Sequence, residues 1–506
     1  MARIVVIGAG MGGMAAAARL AVAGHDVVVH ERSDTHGGAV QRYARDGFAF
    51  DTGPGLLHLP AVYRDLFLKT GREPLEDRVE LVRVPVTARH VFPDGGRVTL
   101  PNASRGKVRA ALDEALGAGA GEHWAGMLNR AREAWEATRR PLLEEPLRDE
   151  PSSRGALERD GAYPAPPPKG LRRLRRRPRQ GSASGPTLAQ LADDELRDPR
   201  LAAMLCGCAW SHGLDPATAP AGAARLAYLE DAFGTWYVKG GMRALADALY
   251  ARCEQRRVTF RFGSAVTGVR EKDGRAAGVE LADGSGVEAD VVVAGTAPGT
   301  LAGWPEGHRA AGPGMARLTV LLALRGARPE GTPHRTLVHR AEAPGQPLTV
   351  LRPDDPALRP DDAHETAVLS LPLATASPTG SAGSGSPGSA VAMDSSAGRA
   401  GAGRLAEELL AAADAAGLGL GERLLWHEVR TPADNEAETG APGGRVPPPA
   451  LPGAGGAFLH PPTSTPLPGL YAVGGWSHPG GGLFAAGMTG AMAAGLVQDP
   501  DWRGSA

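Results

Sequence analysis

The stretch Ile4-Val5-Val6-Ile7-Gly8-Ala9-Gly10-Met11-Gly12-Gly13 decides how the rest of this 506-residue chain is read. A short unbroken apolar run, a glycine-rich turn and the alanine-rich segment Met14–Ala23 predict a buried strand, a tight turn and a helix. Gly8 permits the turn, Gly10 lets the backbone beside Ala9 approach a pyrophosphate, and Gly13 lets the helix lie close on the strand. The first N–H groups of such a helix are unpaired and receive an anion. After Gly24, the segment Asp26–His30 predicts a second buried strand ending at Glu31, 18 residues beyond Gly13. A carboxylate there can accept from ribose hydroxyls, and its charge disfavours a 2′-phosphorylated nucleotide.

Outward from Glu31, the chain continues Glu31-Arg32-Ser33-Asp34-Thr35-His36-Gly37-Gly38 and then Gly47-Phe48-Ala49-Phe50-Asp51-Thr52-Gly53-Pro54. These elements resemble the N-terminal signature of the FAD-dependent amine oxidase and phytoene desaturase superfamily, in which E-xxxxx-GGR is followed by GFxFDxGP. Ala39 stands where that pattern has Arg, so one common cofactor contact is missing.

Two later blocks extend the resemblance. Gly240-Gly241-Met242 opens a predicted helix at 243–252, followed by strands at 258–262 and 265–270, a meander through 277–281, and a strand at 290–293. This resembles the family's second FAD segment, in which the Val at the position of Val266 meets the adenine side through its backbone. The stretch Leu467–Gly487 delivers Gly474-Gly475 on a strand, then the loop Trp476-Ser477-His478-Pro479-Gly480-Gly481-Gly482, then a small-residue helix from Leu483. It resembles the phytoene desaturase motif GLYxVGxxTHPGxGxPG, departing at Trp476, Ser477 and Phe484-Ala485. Thr431-Pro432-Ala433-Asp434-Asn435-Glu436 resembles the same family's TPxDxE segment. Helix capping is the better account of Asp434 than acid–base work. A hydrogen bond within the loop is the better account of His478 than proton removal.

The resemblance implies an α/β fold: a Rossmann-like FAD-binding domain, discontinuous in sequence, with an interleaved α+β substrate domain. The expected division is 1–100, 231–300 and 456–506 for the FAD part, and 101–230 and 301–455 for the substrate part. The implied cofactor is FAD, held by Gly8, Ala9, Gly10, Gly13, Glu31, Arg32, Gly37, Gly38, Val266, Gly474, Gly475, Gly482 and Leu483. The implied activity is removal of a hydride and a proton from a lipophilic, carotenoid or isoprenoid-type small molecule to form a C=C bond. No catalytic side chain is assigned. The alternatives are another flavin-dependent oxidation, of an amine or a secondary metabolite, and a non-catalytic prenyl-binding protein on the same scaffold.

At 52.2 kDa the chain exceeds what one core usually serves, which agrees with two domains. Its net charge of −1 gives no field drawing it to nucleic acid. Only five of the 55 basic residues are lysine, so arginine richness is compositional and argues little by itself. The run Leu171–Arg179 could hold anionic lipid headgroups at about 1 kcal/mol per Arg. Pro178 cuts any helix there short, and a solvated linker is the better account. No stretch reaches the roughly 20 apolar residues of a spanning helix. The N-terminus reads as strand and turn rather than as a leader, and is expected to remain on the mature protein. Three cysteines, Cys206, Cys208 and Cys253, make a disulfide framework untenable and point to a cytoplasmic protein with at most peripheral membrane contact. Cys206, Cys208 and His212 lack a fourth ligand nearby, so no metal is expected. The segments 150–186 and 375–403 read as loops too poor in apolar residues to fold alone. Residues 107–140 and 187–206 each read as one helix. Oligomeric state is not legible.

Overall fold

A computed structural model describes residues 1–148, 153–159, 163–164, 185–309, 314–374 and 396–504. The apolar runs of the first, second and fourth strands assemble a five-stranded parallel sheet in the order 470–472, 291–294, 3–7, 26–30, 259–261. Continuous rather than alternating apolarity follows from burial on both faces. Ile4, Val6, Val27 and Val29 pack under the helices Met11–Val22 and Arg243–Gln255. Val5, Ile7 and Val292 pack on the three-stranded meander 266–288. A third helix, Leu483–Gln498, lies against Met11–Val22 so closely that a Cβ on Gly490 would stand 2.6 Å from the Ala16 nitrogen.

A seven-stranded sheet forms the second part, in the order 424–430, 315–325, 364–374, 343–351, 335–340, 86–91, 97–101. Its pairings are antiparallel except that of 335–340 with 86–91. The helix Ser396–Ala415 covers one face through Ala402, Ala406, Leu409 and Ala413. The helices Arg105–Leu116, Ala120–Arg139, Leu188–Leu196, Pro199–Ser211 and Arg225–Phe233 gather around one apolar core. Where the chain approaches Pro347 and His339, the absent Cβ of Gly207 gives room.

Several expectations are corrected. The helix read over 107–140 is two, because Gly117 and Gly119 both adopt positive φ, 101° and 93°. The helix read over 187–206 is also two: Arg197 turns left-handed, and Asp198 caps the next helix at the Arg200 nitrogen, 2.7 Å away. The strands at 86–91 and 97–101, which straddle the expected boundary at residue 100, pair into the seven-stranded sheet. Ser153–Arg159 is helical, and the low-complexity tract gives way to helix at Ser396 rather than near 403. The arginine run Leu171–Arg179 and residues 375–395 lie outside the described residues.

One ion cluster ties the large sheet together. Glu365 is fully buried and accepts from Arg352 at 2.7 and 2.8 Å and from Arg423 at 2.7 Å. Removing the carboxylate strands two guanidinium groups, so Glu365→Ala is expected to cost about 3–5 kcal/mol of unfolding free energy. Urea denaturation of the two proteins side by side measures it.

Candidate functional site

The sequence between the first strand and the first helix builds a concave backbone surface. Gly8 takes φ 90°, and its N–H donates to the His30 carbonyl at 2.8 Å, which fixes the turn on the second strand. Gly10 caps the helix Met11–Val22 without any side-chain hydrogen bond and with no acidic residue in the first turn, so its N–H groups remain open to an anion. Gly13 cannot carry a Cβ, which would stand 2.2 Å from the Gly8 carbonyl oxygen. Gly37 and Gly38 close over this turn: the Gly37 N–H donates to Ala9 at 2.8 Å, and a Cβ on Gly38 would come within 2.9 Å of the Gly10 Cα.

Glu31 sits across the mouth. One carboxylate oxygen accepts from the Ala9 N–H at 2.7 Å, and the other from the Ser33 N–H and hydroxyl, both at 2.9 Å. The oxygen that accepts from Ala9 retains a lone pair for a ribose hydroxyl, whereas the one facing Ser33 already accepts two bonds. The Ser264 N–H donates to the Glu31 carbonyl at 2.8 Å, so Val266 begins its strand beside that carboxylate. Gly474 arrives from the far end of the chain: a Cβ on Gly12 would stand 2.7 Å from its nitrogen. Its own N–H donates to the Thr489 hydroxyl at 2.8 Å. Gly475 follows against Pro447, and Gly482 opens the helix at Leu483 with φ 102° and no side-chain cap. The Tyr63 hydroxyl holds that helix start by donating to the Leu483 carbonyl at 2.8 Å. The Arg32 guanidinium donates to the Ala437 carbonyl at 2.7 Å.

Three residues that sequence reasoning gave no role hold these pieces in place. Asp51 accepts from the Met242 N–H at 2.9 Å and the Arg243 N–H at 3.4 Å, anchoring the start of the helix Arg243–Gln255. Burial pushes the Asp51 carboxyl up to about 6, against those two N–H groups and Arg42. Asp355 accepts from the Tyr237 hydroxyl at 2.7 Å and the Gly240 N–H at 2.6 Å. Arg243 ties the Gly37-Gly38 loop down through Thr35, His36 and Gln41 at 2.6–2.8 Å. The FD pair before Thr52 was a signal for Asp51; nothing in the sequence marked Asp355.

In the C-terminal loop, His478 is fully buried. Its main-chain N–H donates to the Pro461 carbonyl at 2.8 Å and its carbonyl accepts from Thr463 at 3.4 Å, so the backbone holds the loop, while both imidazole nitrogens are buried without a hydrogen-bond partner among the described residues. Burial lowers its imidazole to about 3, so it is neutral. Thr431 and Asp434 form a reciprocal helix cap, as the sequence suggested. Burial raises all three thiols, Cys206 to about 12, which disfavours the thiolate. His212 meets His58 and Glu230 rather than joining the thiols as ligands: one side-chain atom from each of the three lies within 4.8 Å of the others.

An open helix end under a glycine turn, an acidic strand terminus and a second glycine loop from the far end of the chain define a dinucleotide-binding flavoprotein fold, and they fit FAD on steric and hydrogen-bonding grounds. The family of flavin-containing amine oxidoreductases matches residues 11–311, and the chain belongs to it; FAD is its cofactor. Among characterised proteins, it is 30% identical over 302 residues to a 4,4′-diapolycopene oxygenase of Methylomonas sp, covering 58% of this chain and 55% of that one. A hydroxyneurosporene desaturase of Cereibacter sphaeroides is 32% identical over 59% of this chain and 57% of its own. The chain thus spans little more than half the length of these two relatives. A hydroxyneurosporene desaturase of Rubrivivax gelatinosus is 29% identical over 97% of this chain and 92% of its own. Among solved structures, an oxidoreductase from Methanosarcina mazei superposes with a TM-score of 0.62 at 17% identity, covering 97% of this chain and 99% of that one. Cyclohexylamine oxidase from Brevibacterium oxydans gives 0.62 at 15% identity over 99% of both chains. These two share the fold. Among the described residues, no helix is long and apolar enough to cross a membrane.

Gly38→Val would drive a side chain into Gly10 at a positive φ, and FAD affinity is expected to fall about tenfold or more. The ratio of flavin to protein absorbance after gel filtration, with far-UV circular dichroism as the fold control, reads it. A second expectation concerns pH. Burial lowers His58 and His460 to about 4 and His334 and His478 to about 3, against 6.5 for an exposed imidazole. Between pH 6.5 and 4 the unfolded chain therefore binds protons that the native chain refuses, and stability drops by about 1.4 kcal/mol per pH unit for each of them. Asp51 works the other way between 3.8 and about 6, but as one group against four. Thermal melts across that range should fall steeply toward acid; a flat profile would contradict neutral burial.

Proposed function

We propose that the protein is an FAD-dependent desaturase of the phytoene desaturase type, acting in the cytoplasm on a lipophilic isoprenoid chain. The observation that carries this reading is the continuity of the apolar core. Phe484 and Ala485, which start the C-terminal helix beside the glycine loop, belong to the same buried cluster as Leu59, Trp124, Val108 and Met204. An extended hydrocarbon laid along that wall loses water and gains dispersion contacts over its whole length. The curated relatives, named for carotenoid desaturation and oxygenation, support the same substrate class.

In this reading FAD is held by Gly8, Ala9, Gly10, Gly13, Glu31, Gly37, Gly38, Val266, Gly474, Gly475, Gly482 and Leu483, with Arg32 as the outlying contact. FAD held there would supply the acceptor for a hydride from one substrate carbon, with a proton lost from the neighbouring carbon as the C=C bond forms. The chain contributes orientation and exclusion of water: the helix starting at Leu483 fixes one wall, and the Asp51 and Asp355 anchors fix the Gly240–Met242 turn. His478, neutral and buried in its loop, anchors rather than abstracts. The FAD part draws on 1–100, 231–300 and 456–506, and the substrate part on 101–230 and 301–455, with residues 86–101 lent to the substrate sheet. Peripheral membrane contact belongs to this reading with Leu171–Arg179 as its candidate residues, although a solvated linker is the better account of that run.

The purified protein should be yellow, and anaerobic incubation with phytoene in liposomes should bleach its 450 nm band (about that of free flavin) while longer-wavelength polyene bands appear. A flavin spectrum indifferent to phytoene but bleached by a primary amine would replace this reading with amine oxidation. A protein that stays colourless after reconstitution with FAD would leave only the binding-protein alternative.

A further inference from the structure

Between the seven-stranded sheet and the helical cap lies a cavity of about 50 Å³ with two unlike ends. Leu100, Val108, Trp124 and Met204 make one wall, and these are members of the apolar cluster that reaches Phe484 beside the glycine loop. Glu230 and Arg335 make the other. Arg335 donates to both oxygens of Glu230 and, at 3.0 Å, to the Thr87 carbonyl. Burial opposes ionisation of Glu230, yet this guanidinium holds its carboxyl well below the usual range. The pair is therefore charged, buried and neutral overall.

Two imidazoles stand against Glu230 with lone pairs that nothing satisfies. His212, at the end of the helix Pro199–Ser211, donates from Nδ1 to the Cys208 carbonyl at 3.0 Å, leaving Nε2 as an acceptor. That Nε2 is buried with no hydrogen-bond partner. His58 faces Glu230 with Nε2 at 3.8 Å, and its buried Nδ1 is likewise unpartnered. The rings lie 5.7 Å apart, centre to centre. Burial disfavours protonation of both, so both present acceptors rather than donors. Unsatisfied buried acceptors cost stability; these two stand behind Glu230, which lines the cavity, and a donor entering past Glu230 would relieve them.

We propose that this corner is an anchor for a hydroxyl group at one end of the lipophilic substrate, donated to the His212 Nε2 or the His58 Nδ1. The inference rests on the function proposed above and narrows its substrate class. The chemistry of the corner excludes the other polar ends. A carboxylate has no proton to offer two acceptors and would meet the charge of Glu230. An ammonium group would have to lose its water beside Arg335. A divalent cation meets the same guanidinium, which occupies Glu230, and the second carboxylate on the cavity wall, Asp231, is paired with Arg105. A neutral hydroxyl satisfies a lone pair without adding charge, and the apolar wall takes the hydrocarbon that follows.

The test compares an acyclic polyene with its derivative hydroxylated at one end, using the flavin-loaded protein and two readouts: equilibrium binding by quenching of tryptophan fluorescence, and anaerobic flavin bleaching. Wild type should bind the hydroxylated compound about tenfold or more tightly than the parent. His212→Leu and His58→Leu should each shrink that preference by weakening the hydroxylated ligand and leaving the hydrocarbon unchanged. Two separate positions, with melting temperatures recorded for both, keep a folding defect in one from deciding the matter. Preference without bleaching would uphold the anchor and sink the desaturase reading; bleaching by both compounds without preference would do the reverse. Binding of neither overturns both. Stabilisation by added Zn²⁺ that His212→Leu abolishes would overturn the anchor in favour of a metal centre.

Discussion

The contact between Gly12 and Gly474 is the constraint on which the rest of the nucleotide-binding part depends. Two backbones approach there with no room for a single methyl group. The same closeness repeats where Gly490 meets Ala15 and Ala16, so the first helix and the one starting at Leu483 pack backbone to backbone. Small residues at these points set the spacing of two helix starts, and that spacing sets where an anion and a flat ring can lie. The alanines of Met11–Val22 are therefore not filler; they are what a close helix pair requires.

What could be read in the sequence follows from this. Glycines at steric bottlenecks announce themselves, because no other residue fits and their spacing along a strand, turn and helix is fixed by geometry. Buried parallel strands announce themselves as unbroken apolar runs. The fold class and the glycine cradle were legible for these reasons. Helix breaks at Gly117–Gly119 and Arg197 were not, since strong helix formers flank both and a left-handed arginine has no compositional signature. Asp355 and Arg243 were invisible for another reason: they act on backbone and side-chain groups supplied by remote segments. A carboxylate that accepts from a main-chain N–H leaves no complementary side chain to notice. That the hairpin at 86–101 joins the seven-stranded sheet was not legible, because local pattern reveals a strand but not its sheet.

The two parts of the molecule solve burial differently. Around the cradle, charges are few and accept from backbone N–H groups, as Glu31 and Asp51 do. In the substrate part, buried charge is paired side chain to side chain, Glu365 with Arg352 and Arg423, and Glu230 with Arg335. The Glu365 cluster locks strand to strand. The Glu230 pair instead keeps company with two imidazoles that have spare lone pairs, and it borders a cavity.

The parallel sheet, drawn from strands near residues 5, 28, 260, 292 and 471, has a consequence for how the protein comes into being. Every pairing except that of the first two strands joins segments more than two hundred residues or nearly as far apart. Loop closure on that scale is slow, and the reward for it arrives only when the last partner is present. On the ribosome, the glycine turn made first would wait, exposed, until the strand at 470–472 emerges. The substrate sheet, whose hairpins are mostly local, can form in the interval and hold the early and late segments near one another. Cofactor capture then belongs to the final stage of maturation, and flavin supply rather than chain folding becomes the step a cell can starve.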